Sequence, residues 1–219
     1  MTGFLLKDWS ILKRQGRAYG FVLVVAVLLA FVGSKNYSSF ISSYLTFMIA
    51  MYSFSSFNYD EYENGMAFLM ALPCGRRDYV KEKYIFSILL VTGGWTVGIL
   101  LRTALFLIRF SLAEYLEILP TEPVYLLIAF LYVGCGFPLV IKYGVEKGRM
   151  LSFGILAVML VGIFLLARYY KVITPAITLI NRIYKFSPFL LPVCALVACA
   201  LILGISCRIS LKIMEKREF

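Results

Sequence analysis

The sequence predicts an all-α membrane protein with six transmembrane helices, and three observations support that prediction. First, 61% of the 219 residues are hydrophobic and 16% are charged, whereas soluble globular chains are roughly 45–50% apolar and about 25% charged. Second, six long segments contain no Asp, Glu, Lys or Arg, and each approaches the ~20 residues that a helix needs to span a bilayer. Third, basic residues are distributed unevenly among the segments that connect these runs.

The apolar segments are the predicted spans, and they occupy residues 18–34, 36–59, 84–101, 123–141, 150–167 and 186–207. The third span is expected to continue past Arg102 to Ile108, because residues 103–108 are again apolar. A further apolar run, 172–181, is too short to span. Pro138 lies inside the fourth span and predicts a kink there.

The basic residues predict that both termini are cytoplasmic. The N-terminus, the loops after spans two and four, and the C-terminus together hold 15 of the 22 Lys and Arg residues. The opposite loops hold six, and cytoplasmic loops are enriched in Lys and Arg. The net charge of +10 is therefore interpreted as orienting the chain against membrane lipid. Because these cations do not sit on an otherwise polar surface, nucleic acid is not an expected partner.

The N-terminal segment, residues 1–17, is predicted to form a helix in the cytoplasmic interface. Leu5, Trp9 and Leu12 share one sector of a helical wheel, and the basic residues occupy another. Basic, Trp and Leu residues together are typical of interfacial helices. The alternative is an ordinary basic anchor before the first span.

The loop 60–83, DEYENGMAFLMALPCGRRDYVKEK, is the most distinctive segment outside the spans. Met66, Leu69 and Met70 have helical spacing, and Pro73 is expected to end that short helix. The run that starts at Arg76 is expected to begin the next helix, which continues into span three. Two interpretations remain open: a docking element for a soluble partner, or an interfacial loop whose arginines only set topology.

Catalytic and metal-binding chemistry is not predicted. The sequence has no histidine, which excludes Ser-His-Asp and Cys-His sites and HExxH metal sites. It has no GxxxxGK[ST] motif, so it is not expected to bind ATP through a P-loop of its own. Arg102 is the one ionisable residue inside a span. It is interpreted either as a substrate-path or pairing charge, or as a residue that snorkels to the outer headgroups.

Three short motifs resemble the permease subunits of bacterial ABC-type exporters: LLKDW at 5–9, YDE at 59–61 and ALPCGRRDYVKEKY at 71–84. The chain is most similar to the small six-span permeases that export peptides and drug-like compounds in Gram-positive bacteria. In that family a leucine-proline, a link of small residues, an arginine and a lysine-tyrosine recur between spans two and three. The matching residues here are Leu72, Pro73, Arg76, Lys83 and Tyr84.

The resemblance implies a single non-catalytic permease domain, residues 1–219, in the bacterial cytoplasmic membrane. It would export a hydrophobic or amphipathic substrate, such as a membrane-active peptide, together with a second permease chain. A separate ATPase subunit would bind ATP, and the permease itself would need no cofactor. Segment 1–17 would be the connecting helix, 60–83 the coupling helix and 168–185 an extracellular element. The residues expected to dock the ATPase are Asp60, Glu61, Met66, Leu69, Pro73, Arg76 and Arg77, with Arg102 on the substrate path.

Two other functions are alternatives. One is the substrate-binding membrane subunit of an energy-coupling vitamin importer, which would dock its partner through small residues such as Ala26 and Ala30 of span one. The other is a membrane-embedded enzyme. The missing histidines and the absence of Asp and Glu from the apolar segments disfavour that class.

Overall fold

The computed structural model describes residues 2–32, 38–62, 65–71, 75–109, 122–168 and 190–217, and all regular secondary structure in these ranges is helical. We label the helices in chain order. They are α1 (Thr2–Arg14), α2 (Gly16–Val32), α3 (Ser38–Tyr52), α4 (Ser55–Glu61), α5 (Gly65–Ala71), α6 (Arg76–Arg109), α7 (Glu122–Tyr143), α8 (Val145–Arg168) and α9 (Leu190–Lys216).

The helices follow the apolar segments of the sequence. In the part of the chain that the structure describes, four helical stretches are long and apolar enough to cross a membrane: Phe40–Glu61, Arg76–Ala104, Glu122–Tyr143 and Pro192–Lys216. Gly16–Leu28 is a shorter apolar helix. Helix α8 is 24 residues long and contains the whole of the fifth predicted segment, 150–167. The all-helical membrane fold is confirmed, while the count of six spans stays a prediction.

The structure shows where α1 and α6 begin and end, which tests the predicted boundaries of both helices. α6 begins at Arg76 and continues past Arg102 to Arg109, as expected. α1 ends at Arg14, so segment 1–17 is a helix followed by a turn at Gln15 and the start of α2. Pro73 lies outside the described residues, and so does segment 168–185 apart from Arg168.

The second predicted span is divided into α3 and α4 by a turn at Ser53 and Phe54. The Ser53 hydroxyl donates to the Ala50 carbonyl oxygen at 2.6 Å, and the Ser55 hydroxyl donates to the Tyr52 carbonyl oxygen at 2.7 Å. Hydroxyls that bond back to a preceding carbonyl in this way compete with the helical ladder and often bend helices. The serines therefore mark the point where the chain changes direction.

Helix α7 is central and packs against α3, α6, α8 and α9. It continues through Pro138 to Tyr143; the kink expected at Pro138 stays a prediction. The buried ring of Phe137 lies about 5 Å from the rings of Phe54, Phe57 and Tyr84, at centroid separations of 5.1, 4.9 and 5.2 Å. These edge-on aromatic contacts join α7 to α4, to α6 and to the turn between α3 and α4.

The turn from α7 to α8 depends on glycine. Gly144 has a φ of +83°, a left-handed conformation that side chains disfavour, and its N–H donates to the Val140 carbonyl oxygen at 2.9 Å. Gly148 faces the same residue, and a Cβ atom there would come within 2.5 Å of the Val140 Cα. The two helices can therefore fold back closely on one another.

Both chain termini reach the same end of the bundle. Lys7 of α1 contacts Asp60 at the end of α4, and Arg217 contacts Glu61. We call this end, formed by α1, residues 55–62, 65–71 and 75–83, the α7–α8 turn and the last described residues up to Arg217, the terminal end. The opposite end holds Ser42, Arg102 and Glu122. Which side of the membrane each end faces stays a prediction.

Candidate partner-docking site at the terminal end

Asp60 is the centre of a buried ionic cluster. The residue is 3% exposed, and its carboxylate accepts hydrogen bonds from Lys83 at 2.7 Å and from the Tyr79 hydroxyl at 3.0 Å. Lys7 donates to the same carboxylate. We call the cluster of Lys7, Asp8, Ser56, Asp60, Tyr79 and Lys83 the Asp60 network.

Lys83 connects this cluster to the N-terminal helix. Its ammonium group donates to Asp8 at 2.6 Å and to the Ser56 hydroxyl at 3.0 Å, and the rings of Phe57 and Tyr79 each lie 5.3 Å from it. A buried charge is tolerated only when it is paired and hydrogen-bonded. Two carboxylates, a hydroxyl and two aromatic rings satisfy that condition here, so α1, α4 and α6 are held together by one ammonium group.

Glu61 makes a second set of contacts that face away from the first. Its carboxylate accepts the backbone N–H of Val145 at 2.7 Å and pairs with Arg217 at 3.3 Å, while Arg217 also donates to the Ile141 carbonyl oxygen at 2.8 Å. Val145 is the first residue of α8, where the helix dipole favours a negative charge. We call these contacts the Glu61 network; they link α4 to the α7–α8 turn and to the C-terminus.

The segment between the two networks presents an exposed surface. Phe68 of α5 is 68% exposed, while Met66, two residues earlier, is buried in the core and Leu69 is partly buried against it. Arg76 and Arg77, the first residues of α6, are also exposed. Arg77 pairs with Glu215 at 2.7 Å, and Arg76 donates to the Glu215 carbonyl oxygen at 3.1 Å.

The seven predicted docking residues therefore separate into groups. Arg76 and Arg77 are exposed, Glu61 and Leu69 are partly buried, and Asp60 and Met66 are buried; Pro73 lies outside the described residues. The buried members can support a docking surface from beneath. The exposed members, with Phe68, can contact a partner.

A recess of 520 Å³ lies beside the Glu61 network. It is lined by Asn58, Glu61, Tyr62, Tyr143 and the first residues of α8. The recess therefore lies between the end of α4 and the α7–α8 turn, and both contribute to the terminal-end surface.

Arg102 is buried at the opposite end. It forms an ion pair with Glu122, and the two residues are 1% and 2% exposed. The Ser42 hydroxyl donates to the Glu122 carboxylate at 3.1 Å, and the Trp95 indole N–H donates to the Glu122 carbonyl oxygen at 3.1 Å. This geometry matches a pairing charge between α6 and α7 and differs from a side chain that snorkels to headgroups.

Sequence reasoning missed several members of these clusters. Asp8, Glu122 and Arg217 were not singled out, although Asp8 lies in the LLKDW motif. One usable signal was the spacing of Tyr79 and Lys83, which are four residues apart and so share a face of α6. Among the described residues, no group of three or more His, Cys, Asp or Glu side chains is arranged to hold a metal ion.

The family of the chain is identified by comparison with protein-family models. The family model described as ABC-2 family transporter protein matches residues 3–215, a range that covers the described helices except the first residue of α1 and the last residue of α9, and all members of the two networks except Arg217. The chain belongs to the ABC-2 transporter family. No curated protein and no solved structure gives a significant match to the chain.

ABC-2 family proteins are the membrane permease components of ABC transporters, and they normally work with an ATP-binding ABC subunit. They are generally non-catalytic. The expectations of an ABC-type permease and of a multi-pass membrane protein are therefore confirmed. The exporter branch, the substrate and the docking residues belong to the proposal that follows.

Proposed function

We propose that this ABC-2 permease exports a hydrophobic or amphipathic substrate from the bacterial cytoplasm and that its ATPase docks on the exposed surface of the terminal end. The observation that carries the proposal is the position of that surface. Arg76 and Arg77 begin α6, a helix of 34 residues that continues across the bundle, and the exposed Phe68 lies on α5, the helix before it. A movement of the start of α6 would therefore be transmitted along this helix to the apolar region of the bundle.

The Asp60 network explains how such a movement would be distributed. Lys83, in the second turn of α6, is bonded to Asp60 of α4 and to Asp8 of α1. Closure of the ATPase subunits around ATP would displace α5 and the start of α6, and the network would make α1 and α4 move with them. Rigid-body movement of this kind requires that ATP bind the closed state better than the open one.

At the opposite end, we propose that Arg102 acts through Glu122 by holding α6 against α7. A buried pair that joins two helices can be broken and re-formed when those helices separate. Arg102 would therefore border the substrate path as a gate contact. The second permease chain would pack against apolar faces that remain exposed, such as those of α8 and α9, which include Val158, Leu165, Leu201 and Ile205.

The packing of α2 disfavours the vitamin-importer alternative. Ala26 is 1% exposed and packs with Ile41 and Leu45 of α3. A docking stripe must be available on the outside of the permease, and Ala26 is covered by the chain's own third helix.

Co-purification with the ATPase tests the docking proposal. The double variant Arg76→Glu/Arg77→Glu is expected to lose the ATPase while the permease still folds, because both residues are exposed. Glu215→Gln is the matched control, since it removes the pairing partner of Arg77 but leaves both arginines. Retention of the ATPase by the double variant, or its loss from the control, would contradict this surface assignment.

The purified permease alone is expected to hydrolyse no ATP above the level of a protein-free sample. Hydrolysis should appear when the ATPase is added. Turnover by the permease alone, retained after a second purification step, would refute a non-catalytic role.

A further inference from the structure

A cavity of 510 Å³ lies between α1, α2, α3 and α6. Its walls are apolar and include Leu5, Trp9, Leu12, Val22, Leu45 and Leu90. The volume falls within the roughly 300–1,000 Å³ that is usual for sites that hold a small organic ligand. We call this cavity the α1 groove.

The position of α1 beside the groove is fixed by the Asp60 network. Lys7 and Asp8 are bonded to Asp60 and Lys83, and Leu5, Trp9 and Leu12 of the same helix line the cavity. The helix therefore cannot turn its apolar face inward to close the groove without breaking buried ion pairs. The groove is therefore maintained by the contacts of α1 with the rest of the fold. The Trp9 side chain, which lines the groove, is 54% exposed.

One basic residue borders the groove. Lys13 follows Trp9 by four residues, so it lies one turn further along α1, at the edge of the apolar sector, whereas Arg14, in the same last turn, lies on the other sector. Both side chains are exposed, and neither forms an ion pair within the described ranges. An apolar cavity with an exposed ammonium group at its rim is complementary to a molecule with an apolar chain and an anionic head.

We propose that the α1 groove binds an anionic phospholipid of the surrounding bilayer, with one acyl chain in the cavity and the phosphate group against Lys13. An acyl chain has no hydrogen-bonding groups, so it matches apolar walls. An extended peptide would bury backbone N–H and C=O groups that these walls cannot satisfy. The proposal does not depend on the ATPase-docking surface and can fail independently of it.

Fluorescence of Trp9 provides a direct test on the full chain. The sequence has two tryptophans, and Trp95→Phe leaves Trp9 as the single reporter. This parent variant would be reconstituted in vesicles of phosphatidylcholine mixed with phosphatidylglycerol, with bromine on the acyl chains of one lipid at a time. Because one Lys or Arg near a membrane surface contributes about 1 kcal/mol of attraction to anionic lipid, we expect about a fivefold preference for phosphatidylglycerol.

Two charge variants test the role of the rim. Lys13→Glu is expected to abolish the preference for phosphatidylglycerol. Arg17→Glu makes the same charge change at the start of α2, on a face away from the groove residues Tyr19 and Val22, and it should keep the preference. Equal quenching by both lipids in the parent, or equal loss in both variants, would overturn the proposal.

Two glycine variants test occupation of the cavity. Gly93 lines the groove, and a Cβ atom there would meet no heavy atom within 4 Å, so Gly93→Leu should fill the space without a clash. We expect quenching of Trp9 by brominated chains to fall at least twofold. Gly154→Leu on α8 is the matched control, since Gly154 is equally open and lies outside the groove.

Two further results would contradict the proposal. Unchanged quenching in Gly93→Leu would mean that Trp9 detects only the general lipid around the protein. Absence of quenching by either lipid in the parent would mean that protein, such as a second copy of the chain, covers the groove.

Discussion

The two ends of the helical bundle are held together in different ways. At the terminal end, the neighbouring residues Asp60 and Glu61 belong to two networks that connect α4 to α1, α6, the α7–α8 turn and the C-terminus. At the opposite end, the buried pair of Arg102 and Glu122, with Ser42 and Trp95, joins α3, α6 and α7. Within the described residues, more elements are joined at the end where a partner would dock than at the end where helices would separate.

A transporter whose ATPase acts at one end of the helical bundle requires this difference between the two ends. A surface that receives force must transfer it to several helices at once, so those helices must be connected. A gate must open, so it must depend on few contacts.

The largest effect is expected from Lys83→Met. Loss of the ammonium group would leave the carboxylates of Asp8 and Asp60 buried with less compensation, and removal of one partner from a buried ion pair costs about 3–5 kcal/mol. Thermal unfolding in detergent should show a strong loss of stability. Lys81→Met, at an exposed position of the same helix, is the control and should unfold like the wild type.

The double variant Lys83→Met/Asp60→Asn tests whether the loss of stability in Lys83→Met arises from the ion pair between Lys83 and Asp60. It should be more stable than Lys83→Met alone, because one uncompensated charge is removed. Additive losses from the two substitutions would mean that the ammonium and the carboxylate do not interact, and the Asp60 network would not connect these helices.

Arg102→Met should destabilise the protein by an amount at the lower end of the same range, about 3 kcal/mol. The Glu122 carboxylate would keep its bond from Ser42, and it is the first residue of α7, where the helix dipole stabilises a negative charge. Arg102→Met/Glu122→Gln should recover part of the loss. A variant as stable as the wild type would show that the pair does not hold α6 to α7.

These interactions also show where sequence reasoning succeeds. The apolar run 103–108 correctly predicted that α6 continues past Arg102, and the basic run at Arg76 correctly predicted its start. Both signals are local, because apolar length and helix-ending residues act within a few positions. The length of α1 was less accurate, since the turn at Gln15 is not marked by proline and is followed at once by another helix.

The site itself depends on contacts that a single sequence does not display. Asp60 and Lys83 are 23 positions apart, and Glu61 and Arg217 are 156 positions apart. An acidic residue next to a span can face water or another helix, and composition does not distinguish these cases. Asp60 was therefore predicted as part of a docking surface, whereas the structure buries it beneath that surface.

A smaller effect is expected at the α7–α8 turn. Gly144→Ala would place a side chain at a φ of +83°, and a left-handed conformation costs an ordinary residue roughly 1–2 kcal/mol. Thermal unfolding should register this decrease. Gly154→Ala, within α8, should be neutral or slightly stabilising, because alanine is favoured over glycine inside helices; equal stability of the two variants would argue against a strained turn.

The smallest effect on stability is expected from Arg77→Glu. The pair with Glu215 is exposed, and exposed ion pairs contribute only about 0–1 kcal/mol. Thermal unfolding of the permease should therefore hardly change, even though association with the ATPase is expected to weaken. A large loss of stability would move Arg77 from the docking surface into the framework of the terminal end.

The most direct test of ATPase docking at the terminal end is site-specific photo-crosslinking in the assembled transporter. Phe68→p-benzoylphenylalanine places a reactive ketone on the exposed face of α5, and the same replacement at Leu201 places it on the exposed apolar face of α9. We expect the ATPase to cross-link to position 68 and not to position 201. A cross-link at position 201, or none at position 68 in a complex that still hydrolyses ATP, would contradict docking at this surface.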